Sequence, residues 1–245
     1  MTGVQTCALP ITGGSTGIGA EICRHMLTAG YEVVCIARRA PDWKHDRLSS
    51  IEVDLLDSQA TREAAQSVAA RLPVTHVVHN AGVIRPNPLA QVTEQDLQAL
   101  MQLHIGAALH LVQAVLPGMQ GRSFGRIIMM SSRAALGAAT RTAYSATKAG
   151  IIGMTRTWAL ELAPYGITAN VVAPGPIADT EMFHKVIPKG SEREQALANA
   201  IPLKRLGRTS DVARAVMFFA DPDNGFVTGQ TLFVCGGSSV GTLVI

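Results

Sequence analysis

A tyrosine and a lysine four positions apart, Tyr144 and Lys148, could together move a proton at neutral pH. Residues i and i+4 of a helix lie on the same face. A free phenol ionises near pH ~10, so it is a poor acid or base at pH 7 unless a nearby positive charge favours the phenolate. Lys148 is placed to supply that charge. The pair alone is also typical of an ordinary helix with one aromatic ring and one solvated lysine. Other motifs in the chain are therefore needed to assign it a chemical role.

Short apolar, β-branched runs alternate with helical stretches along the whole chain. The strand-like runs lie at 32–36, 48–53, 76–79, 126–130, 167–172 and 231–235, and the helical stretches near 17–29, 58–71, 93–119, 143–163 and 209–220. Runs that are apolar on both faces suit strands covered by helices on both sides. The alternation predicts an α/β protein, a single-domain Rossmann fold over residues 1–245, with helices on both faces of a doubly wound parallel sheet. The segment 176–206 exceeds an ordinary connection, and we expect a substrate loop there.

Composition excludes several other classes of protein. The 245 residues carry a net charge of only +3, with no basic block, so we expect no nucleic-acid partner. No apolar run approaches the ~20 residues of a membrane-spanning helix, so we expect no membrane partner. The four cysteines lack the spacing of metal ligands and the density of a secreted disulfide scaffold. We therefore expect a cytoplasmic enzyme without a metal.

The first eleven residues look foreign to the rest of the chain. Residues 1–11 reverse-translate readily into the end of a widely used sequencing adapter, so we expect them to be non-native. Pro10 supports this expectation, because it falls where the central first strand should lie and lacks the N–H that a sheet ladder needs.

A glycine-rich turn follows that strand and opens a helix near Gly17. Glycines let the backbone approach a pyrophosphate closely, and the free N–H groups of a helix N-terminus favour negative charge. The turn predicts a dinucleotide-binding loop. Its candidate contact residues are Gly13, Ser15, Thr16, Gly17, Ile18 and Gly19.

The end of the second predicted strand indicates which nicotinamide coenzyme is preferred. NAD sites commonly place an acidic residue there to accept the ribose hydroxyls, whereas an arginine accommodates the extra phosphate of NADP. This chain has Ala37 at that place, followed by Arg38 and Arg39. We predict NADP(H) over NAD(H), with Arg38 as the main contact and Arg39 assisting; two solvated arginines are the other interpretation.

Taken together, these motifs resemble the classical short-chain dehydrogenases/reductases. The resemblance rests on the glycine loop from Thr12, on Asn80-Ala81-Gly82, on Ser131-Ser132, on Tyr144 with Lys148, and on Pro174-Gly175, and it extends to about Gly237. The chain is similar to both the 3-oxoacyl-carrier-protein reductase and the polyol dehydrogenase branches, without a choice between them.

The resemblance implies an oxidoreductase that passes a hydride between nicotinamide and a ketone or secondary alcohol. Tyr144 would be the general acid or base, and Lys148 would lower its pKa and hold the nicotinamide ribose. A serine would hydrogen-bond the substrate oxygen. Strand register favours Ser132 for that role, whereas counting back from Tyr144 favours Ser131. We predict Ser132, because a loop absorbs a one-residue deletion more easily than a strand does.

His104 departs from the pattern that the resemblance implies. The family usually has an asparagine at this place, which is thought to help hold a water in a proton path from the lysine. An imidazole can donate and accept hydrogen bonds and titrates near neutrality. Either His104 takes part in the relay, or its side chain only packs while the backbone carbonyl does that work.

Further coenzyme contacts follow from the same resemblance. Asn80, Ala81 and Gly82 would lie beside the adenosine, with Asp54 and Leu55 near the adenine. Pro174 and Gly175 would pack on the nicotinamide, Ile177 would offer backbone hydrogen bonds to it, and Thr180 would offer its hydroxyl. Asp179 is an extra residue before Thr180, which weakens the assignment of Thr180.

The substrate and assembly are less defined by the sequence. Arg133 and Arg141 near the predicted pocket could meet an anionic group, although such arginines are more often solvated. Helices near 93–119 and 143–163 are apolar nearly all round, and together with the resemblance this predicts a homotetramer. A lyase or isomerase on the same fold, and a non-catalytic NADP-binding regulator, are the alternative functions.

Overall fold

The protein is built around one seven-stranded parallel sheet. The computed structural model describes residues 7–240. The strands are β1 (Ala8–Thr12), β2 (Glu32–Ala37), β3 (Leu48–Glu52), β4 (His76–His79), β5 (Gly125–Met130), β6 (Ile167–Pro174) and β7 (Thr231–Val234). Their order is β3-β2-β1-β4-β5-β6-β7, and every neighbouring pair is parallel. The predicted doubly wound α/β Rossmann fold is confirmed, and the order reverses between β1 and β4, where ligands bind in such sheets.

Helices cover both faces of the sheet. They are α1 (Gly17–Thr28), α2 (Ser58–Arg71), α3 (Glu94–Met101), α4 (Ala107–Gly121), α5 (Thr142–Leu162), α6 (Glu181–His184), α7 (Glu192–Ala200) and α8 (Thr209–Ala220). One apolar core joins the sheet to α2, α4 and α5, and a second joins its other face to α1 and α8. The main predicted helices are therefore present, and the segment 176–206 contains the two short helices α6 and α7.

The long helix predicted near 93–119 is divided by a π turn. Residues 102–106 form this turn between α3 and α4, and the Ala107 N–H bonds back to the Gln102 carbonyl, five residues earlier. A π turn is rare and often marks a functional site. The run Glu94–Gly121 is also long enough to cross a membrane, and its most apolar 18-residue window has a mean hydropathy of 1.5, although 44% of that window is already buried in the fold.

Pro10 lies in the buried strand β1, as its position in the sequence predicts. Ala8 pairs with Val74, and Ile11 pairs with Val78. Between these two pairings lie two residues of β1 but three residues on the β4 side. This one-residue bulge is where a residue without an N–H can be accommodated. Residues 8–11 thus belong to the sheet, residues 1–6 lie outside the described part, and the non-native origin of 1–11 stays a prediction.

Candidate active site

The glycine loop has the geometry of an anion-binding turn between β1 and α1. Gly13 and Gly17 have φ angles of 65° and 55°, in the left-handed region that favours glycine. A Cβ atom on Gly19 would lie 2.0 Å from the Gly13 carbonyl oxygen, so no side chain fits there. The first turn of α1 has no acidic residue, and the Thr16 hydroxyl does not cap it. Ser15 and Ile18 are partly exposed along the same turn, and the N-terminus of α1 therefore offers free N–H groups to a pyrophosphate.

Asn80 holds this loop from the end of β4. Its side-chain amide donates to the carbonyl oxygens of Thr12 and Gly13 at 3.2 and 3.1 Å. In return, the Thr12 hydroxyl accepts the backbone N–H groups of Asn80 and Ala81, both at 3.0 Å. Asn80 and Ala81 thus support the loop, and Gly82 follows them against the imidazole of His104.

The two arginines after β2 differ in their surroundings. Ala37 is buried at the strand end, where an acidic residue is absent. Arg39 pairs with Glu181 of α6 at 3.2 Å, and both side chains are 64% exposed. Arg38 makes no ion pair or side-chain hydrogen bond within residues 7–240. Arg38 is therefore the guanidinium available to an added phosphate, whereas Arg39 already has an anionic partner.

Asp54 and Leu55 have local structural roles after β3. One carboxylate oxygen of Asp54 accepts the Leu56 N–H at 3.0 Å and closes the turn. Leu55 packs in the core, and its carbonyl accepts the Gln102 amide at 3.2 Å. The exposed Asp54 carboxylate keeps a second oxygen free, whereas the Leu55 side chain is buried in the core, and the adenine contacts of both residues stay a prediction.

The residues after β6 line the other end of the groove. Pro174 ends β6, and a Cβ atom on Gly175 would lie 2.9 Å from the Cα of Cys235. Ile177 is buried, and Thr180 uses its hydroxyl to cap α6 and to donate to the Ile177 carbonyl at 3.1 Å. The Thr180 side chain lies over Gly17. It therefore faces the glycine loop, with its hydroxyl already engaged.

Tyr144 and Lys148 lie one turn apart on α5, close to the end of β5. The Lys148 Nζ donates to the Met130 carbonyl at 2.8 Å and lies 5.6 Å from the centre of the Tyr144 ring. Lys148 is only 3% exposed, whereas the Tyr144 ring is partly exposed. Burial lowers the pKa of Lys148 to about 7. At neutral pH the amine thus exchanges readily between its charged and uncharged forms.

Burial and two neighbouring groups act on the pKa of Tyr144. Burial raises this pKa, while hydrogen bonding by Ser132 and the charge of Arg141 act in the opposite direction. Lys148 is turned toward Met130, and burial lowers the pKa of Lys148 itself. The raised pKa favours the protonated phenol, and the lowering of the Tyr144 pKa by Lys148 stays a prediction.

The two candidate serines have different partners. The Ser131 hydroxyl is buried and donates to the Lys148 backbone carbonyl at 2.7 Å, which anchors α5 to the end of β5. The Ser132 hydroxyl accepts the Ala134 N–H at 3.1 Å and acts on the Tyr144 phenol. Ser132 is therefore the serine beside the Tyr144 phenol, whereas the Ser131 hydroxyl is engaged by the backbone of α5.

His104 occupies the π turn behind Lys148 with both ring nitrogens engaged. Nδ1 lies 2.8 Å from the Thr147 hydroxyl, which itself donates to the Tyr144 carbonyl, so Nδ1 carries the proton. Nε2 accepts the Val83 N–H at 3.3 Å. Burial, and secondarily the charge of Lys148, hold the pKa of His104 far below its usual range. The imidazole is neutral, and its hydrogen-bond chain through Thr147 ends on a backbone carbonyl, so this chain does not carry a proton to solvent. This favours the interpretation in which the His104 side chain only packs.

Sequence reasoning missed His79, the last residue of β4. Its imidazole is fully buried between the glycine loop and the π turn, with hydrogen bonds to Thr12 and to the Leu103 carbonyl. The available signal was a histidine at each end of a short buried strand, with His79 directly before Asn80.

Comparison with known proteins places this geometry in a family. Residues 13–239 match the family model described as enoyl-(acyl carrier protein) reductase. The (2S)-[(R)-hydroxy(phenyl)methyl]succinyl-CoA dehydrogenase subunit BbsD of Thauera aromatica is 34% identical, over 97% of this chain and 98% of its own length. The 3-oxoacyl-[acyl-carrier-protein] reductase MabA of Mycobacterium avium is 36% identical, over 94% of this chain and 89% of its own length.

A solved structure agrees with these relatives. The structure of ElxO with NADP bound superposes with a TM-score of 0.89 at 29% identity, and covers 96% of this chain and 100% of that one. The glycine loop, the groove at the switch point of the sheet and the Tyr144–Lys148 pair are thus found in a chain whose relatives are named dehydrogenases and reductases. The chain belongs to the short-chain dehydrogenase/reductase family, near its 3-oxoacyl-carrier-protein reductase branch, and is an NAD(P)-dependent oxidoreductase.

Proposed function

We propose that this protein is an NADP-dependent oxidoreductase that interconverts a ketone and a secondary alcohol, with Tyr144 as the acid or base. The observation that carries the proposal is the Ser132 hydroxyl beside the Tyr144 phenol, with the Lys148 Nζ 5.6 Å from the centre of the Tyr144 ring. A hydroxyl donor beside a protonated phenol suits a carbonyl oxygen on which negative charge develops.

The relatives favour acyl thioesters with oxygen at the third carbon as the substrate class. Both BbsD and MabA are named for such compounds, one attached to coenzyme A and the other to an acyl carrier protein. Apolar side chains exposed near Ser132 and in the loop after β6, such as Leu136 and Met182, suit an acyl chain. We therefore propose reduction of a 3-oxoacyl thioester, or oxidation of the corresponding 3-hydroxyacyl thioester.

Each residue of the site has a distinct role in this proposal. Ser132 donates a hydrogen bond to the substrate oxygen, and Tyr144 gives that oxygen a proton during reduction or removes one during oxidation. Lys148 uses one N–H on Met130 and keeps two donors for the ribose hydroxyls of the coenzyme. The bound coenzyme supplies or accepts the hydride.

Arg38 supports the preference for NADP. It is an exposed, unpaired guanidinium directly after the buried Ala37, at the strand end where the adenosine ribose lies in this fold. The NADP bound to ElxO is consistent with the same choice.

The proposal is tested with a substrate panel and both reduced nicotinamides, read by the absorbance of the reduced ring. The panel contains acetoacetyl-CoA, a simple ketone, a sugar and, because of the description of the family model, the enoyl thioester crotonyl-CoA. We expect NADPH-dependent turnover of acetoacetyl-CoA, and a loss of about 10³-fold in kcat for Tyr144→Phe. Tyr165→Phe, an exposed tyrosine at the far end of α5, is the matched control.

Three outcomes would count against this function. A fully active Tyr144→Phe variant would remove the acid–base role. Turnover of a substrate without any change in the nicotinamide absorbance would favour a lyase or isomerase. Tight NADPH binding with no turnover across a broad panel would favour a non-catalytic regulator.

We also propose a homotetramer in a reducing cytoplasm. Large apolar side chains are exposed on the outer faces of α3, α4 and α5 and again around α8 and β7, which provides two separate surfaces for subunit contact. These side chains are Leu97, Met101, Leu109, Leu160, Phe218, Phe226 and Leu232. The four cysteines are free. Light scattering of the purified protein tests the assembly, and a monomeric mass would contradict it.

A further inference from the structure

His79 connects the glycine loop to the π turn through two directed hydrogen bonds. The Thr12 hydroxyl oxygen already accepts two backbone N–H groups, so its one proton is left for His79 Nδ1 at 3.0 Å. His79 Nδ1 is therefore an acceptor, and the ring proton is on Nε2. That N–H donates to the Leu103 carbonyl of the π turn at 3.1 Å.

The path continues from the π turn to the catalytic helix. The residue after Leu103 is His104, which donates to the Thr147 hydroxyl at 2.8 Å. Thr147 in turn donates to the backbone carbonyl of Tyr144 at 3.0 Å. The side chains of Thr12, His79, His104 and Thr147 are each at most 1% exposed. Buried hydrogen-bonded polar groups hold their geometry strongly, because breaking one bond leaves both of its partners unsatisfied.

We propose that His79 is a positioning residue that couples occupancy of the glycine loop to the placement of Tyr144 and Lys148. The inference rests on the proposed function, since it assumes that a nucleotide binds the loop and that Tyr144 acts on the substrate. The imidazole is rigid and both of its nitrogens are committed, so a shift of Thr12 is transmitted to Leu103 and on to α5. His79 does not act on the reacting atoms itself.

A matched pair of variants on one strand separates positioning from simple stability. His79→Asn places an amide near the position of Nδ1, so it keeps an acceptor for Thr12 but does not reach the Leu103 carbonyl. His76→Asn is the control, because His76 is also buried in β4 and also bonds a distant carbonyl, that of Ala220 at 2.9 Å. His76 lies at the opposite end of the strand from Asn80.

Steady-state kinetics gives the first readout. We expect His79→Asn to lower kcat about 10-fold or more while the Kd for NADPH stays close to the wild-type value, because misplacement of the reacting groups is costly but the loop keeps its support. We expect His76→Asn to lose comparable thermal stability and to keep kcat. If His79→Asn and His76→Asn had equal kcat values, the inference would be overturned, even if the wild-type enzyme were fully active. If His79→Asn does not fold, Thr147→Val breaks the same path from its other end and must lower kcat in the same way.

A second readout does not need turnover. The probe is 2′-phosphoadenosine 5′-diphosphate, which carries the adenosine and phosphate groups but has no nicotinamide to contact Tyr144. We expect this probe to slow hydrogen–deuterium exchange at 142–148 in the wild type and in His76→Asn, but not in His79→Asn. Equal protection in all three proteins would overturn the coupling. Absence of binding by this probe and by NADPH would remove the proposed function together with the inference.

Discussion

The two ends of the coenzyme groove are built in opposite ways. At the catalytic end, Lys148, His104 and His79 are buried, and each makes hydrogen bonds to fixed backbone or hydroxyl groups. At the adenosine end, Arg38, Arg39 and Glu181 are exposed, and the ion pair at 3.2 Å is between side chains that are each 64% exposed.

The difference shows where the sequence tolerates change. A buried charged or polar group is costly to leave without its partner, so the catalytic end has one arrangement that a substitution can only damage. An exposed ion pair contributes little to stability, since water and salt compete with it. Under the proposed function, we therefore expect substitutions at the catalytic end to change the reaction rate and those at the adenosine end to change the coenzyme preference.

The buried histidines should make the protein sensitive to acid, which is the largest effect that we expect on its stability. Burial lowers the pKa of His76 to about 4 and of His79 to about 3, and holds that of His104 lower still. Each histidine takes up its proton in the unfolded chain near pH ~6.5 but not in the folded one. Their contribution is thus fully present above that pH and is lost as the pH falls toward the folded pKa values. We expect the free energy of unfolding to drop by about 3 kcal/mol between pH 6.5 and 5.5.

Urea unfolding followed by circular dichroism at several pH values measures this effect. His79→Asn removes one of the three titrating groups, so its stability should fall less steeply with acid than that of the wild type. An exposed histidine gives the control: His45→Asn should leave the slope unchanged. A wild-type stability that is equal at pH 6.5 and 5.5 would contradict the prediction.

Much of this fold was predictable from the sequence, because it depends on local patterns. The apolar runs and the glycine turn predicted the parallel sheet, and the spacing of Tyr144 and Lys148 predicted that both lie on one face of α5. The π turn was not predictable, since its apolar pattern is that of a continuous helix. The Arg39–Glu181 pair joins positions 142 residues apart, and only the fold reveals it. The burial that raises the pKa of Tyr144 was also not predictable, because burial is a property of the packed protein.

At the exposed end, Arg38 should decide the choice between the two coenzymes. Arg38→Asp replaces the free guanidinium with the acidic residue that NAD sites use. We expect kcat/KM with NADPH to fall about 10-fold or more, because a charge-assisted contact with a phosphate is replaced by repulsion. The kcat/KM with NADH should stay the same or rise.

Arg39→Asp is the matched comparison for Arg38→Asp. Its effect should be smaller, since the Arg39 charge is already offset by Glu181. A ratio of NADPH to NADH activity that is unchanged in Arg38→Asp would remove the proposed preference for NADP. An Arg39→Asp effect larger than that of Arg38→Asp would reverse the roles of the two arginines.

Replacement of Glu181 should have the smallest effect on coenzyme binding, and the direction of the change in KM is informative. Its carboxylate accepts hydrogen bonds from Arg39, so a phosphate that binds Arg39 must compete with Glu181. Glu181→Gln should therefore lower the KM for NADPH by about two- to threefold at low salt, the range expected of an exposed ion pair. The gain should vanish at high salt and be absent with NADH. Glu192→Gln, which removes an exposed carboxylate at the start of α7, makes the same change in net charge. If Glu192→Gln lowered the KM equally, the effect would come from net charge, and the adenosine end would have no specific competitor for Arg39.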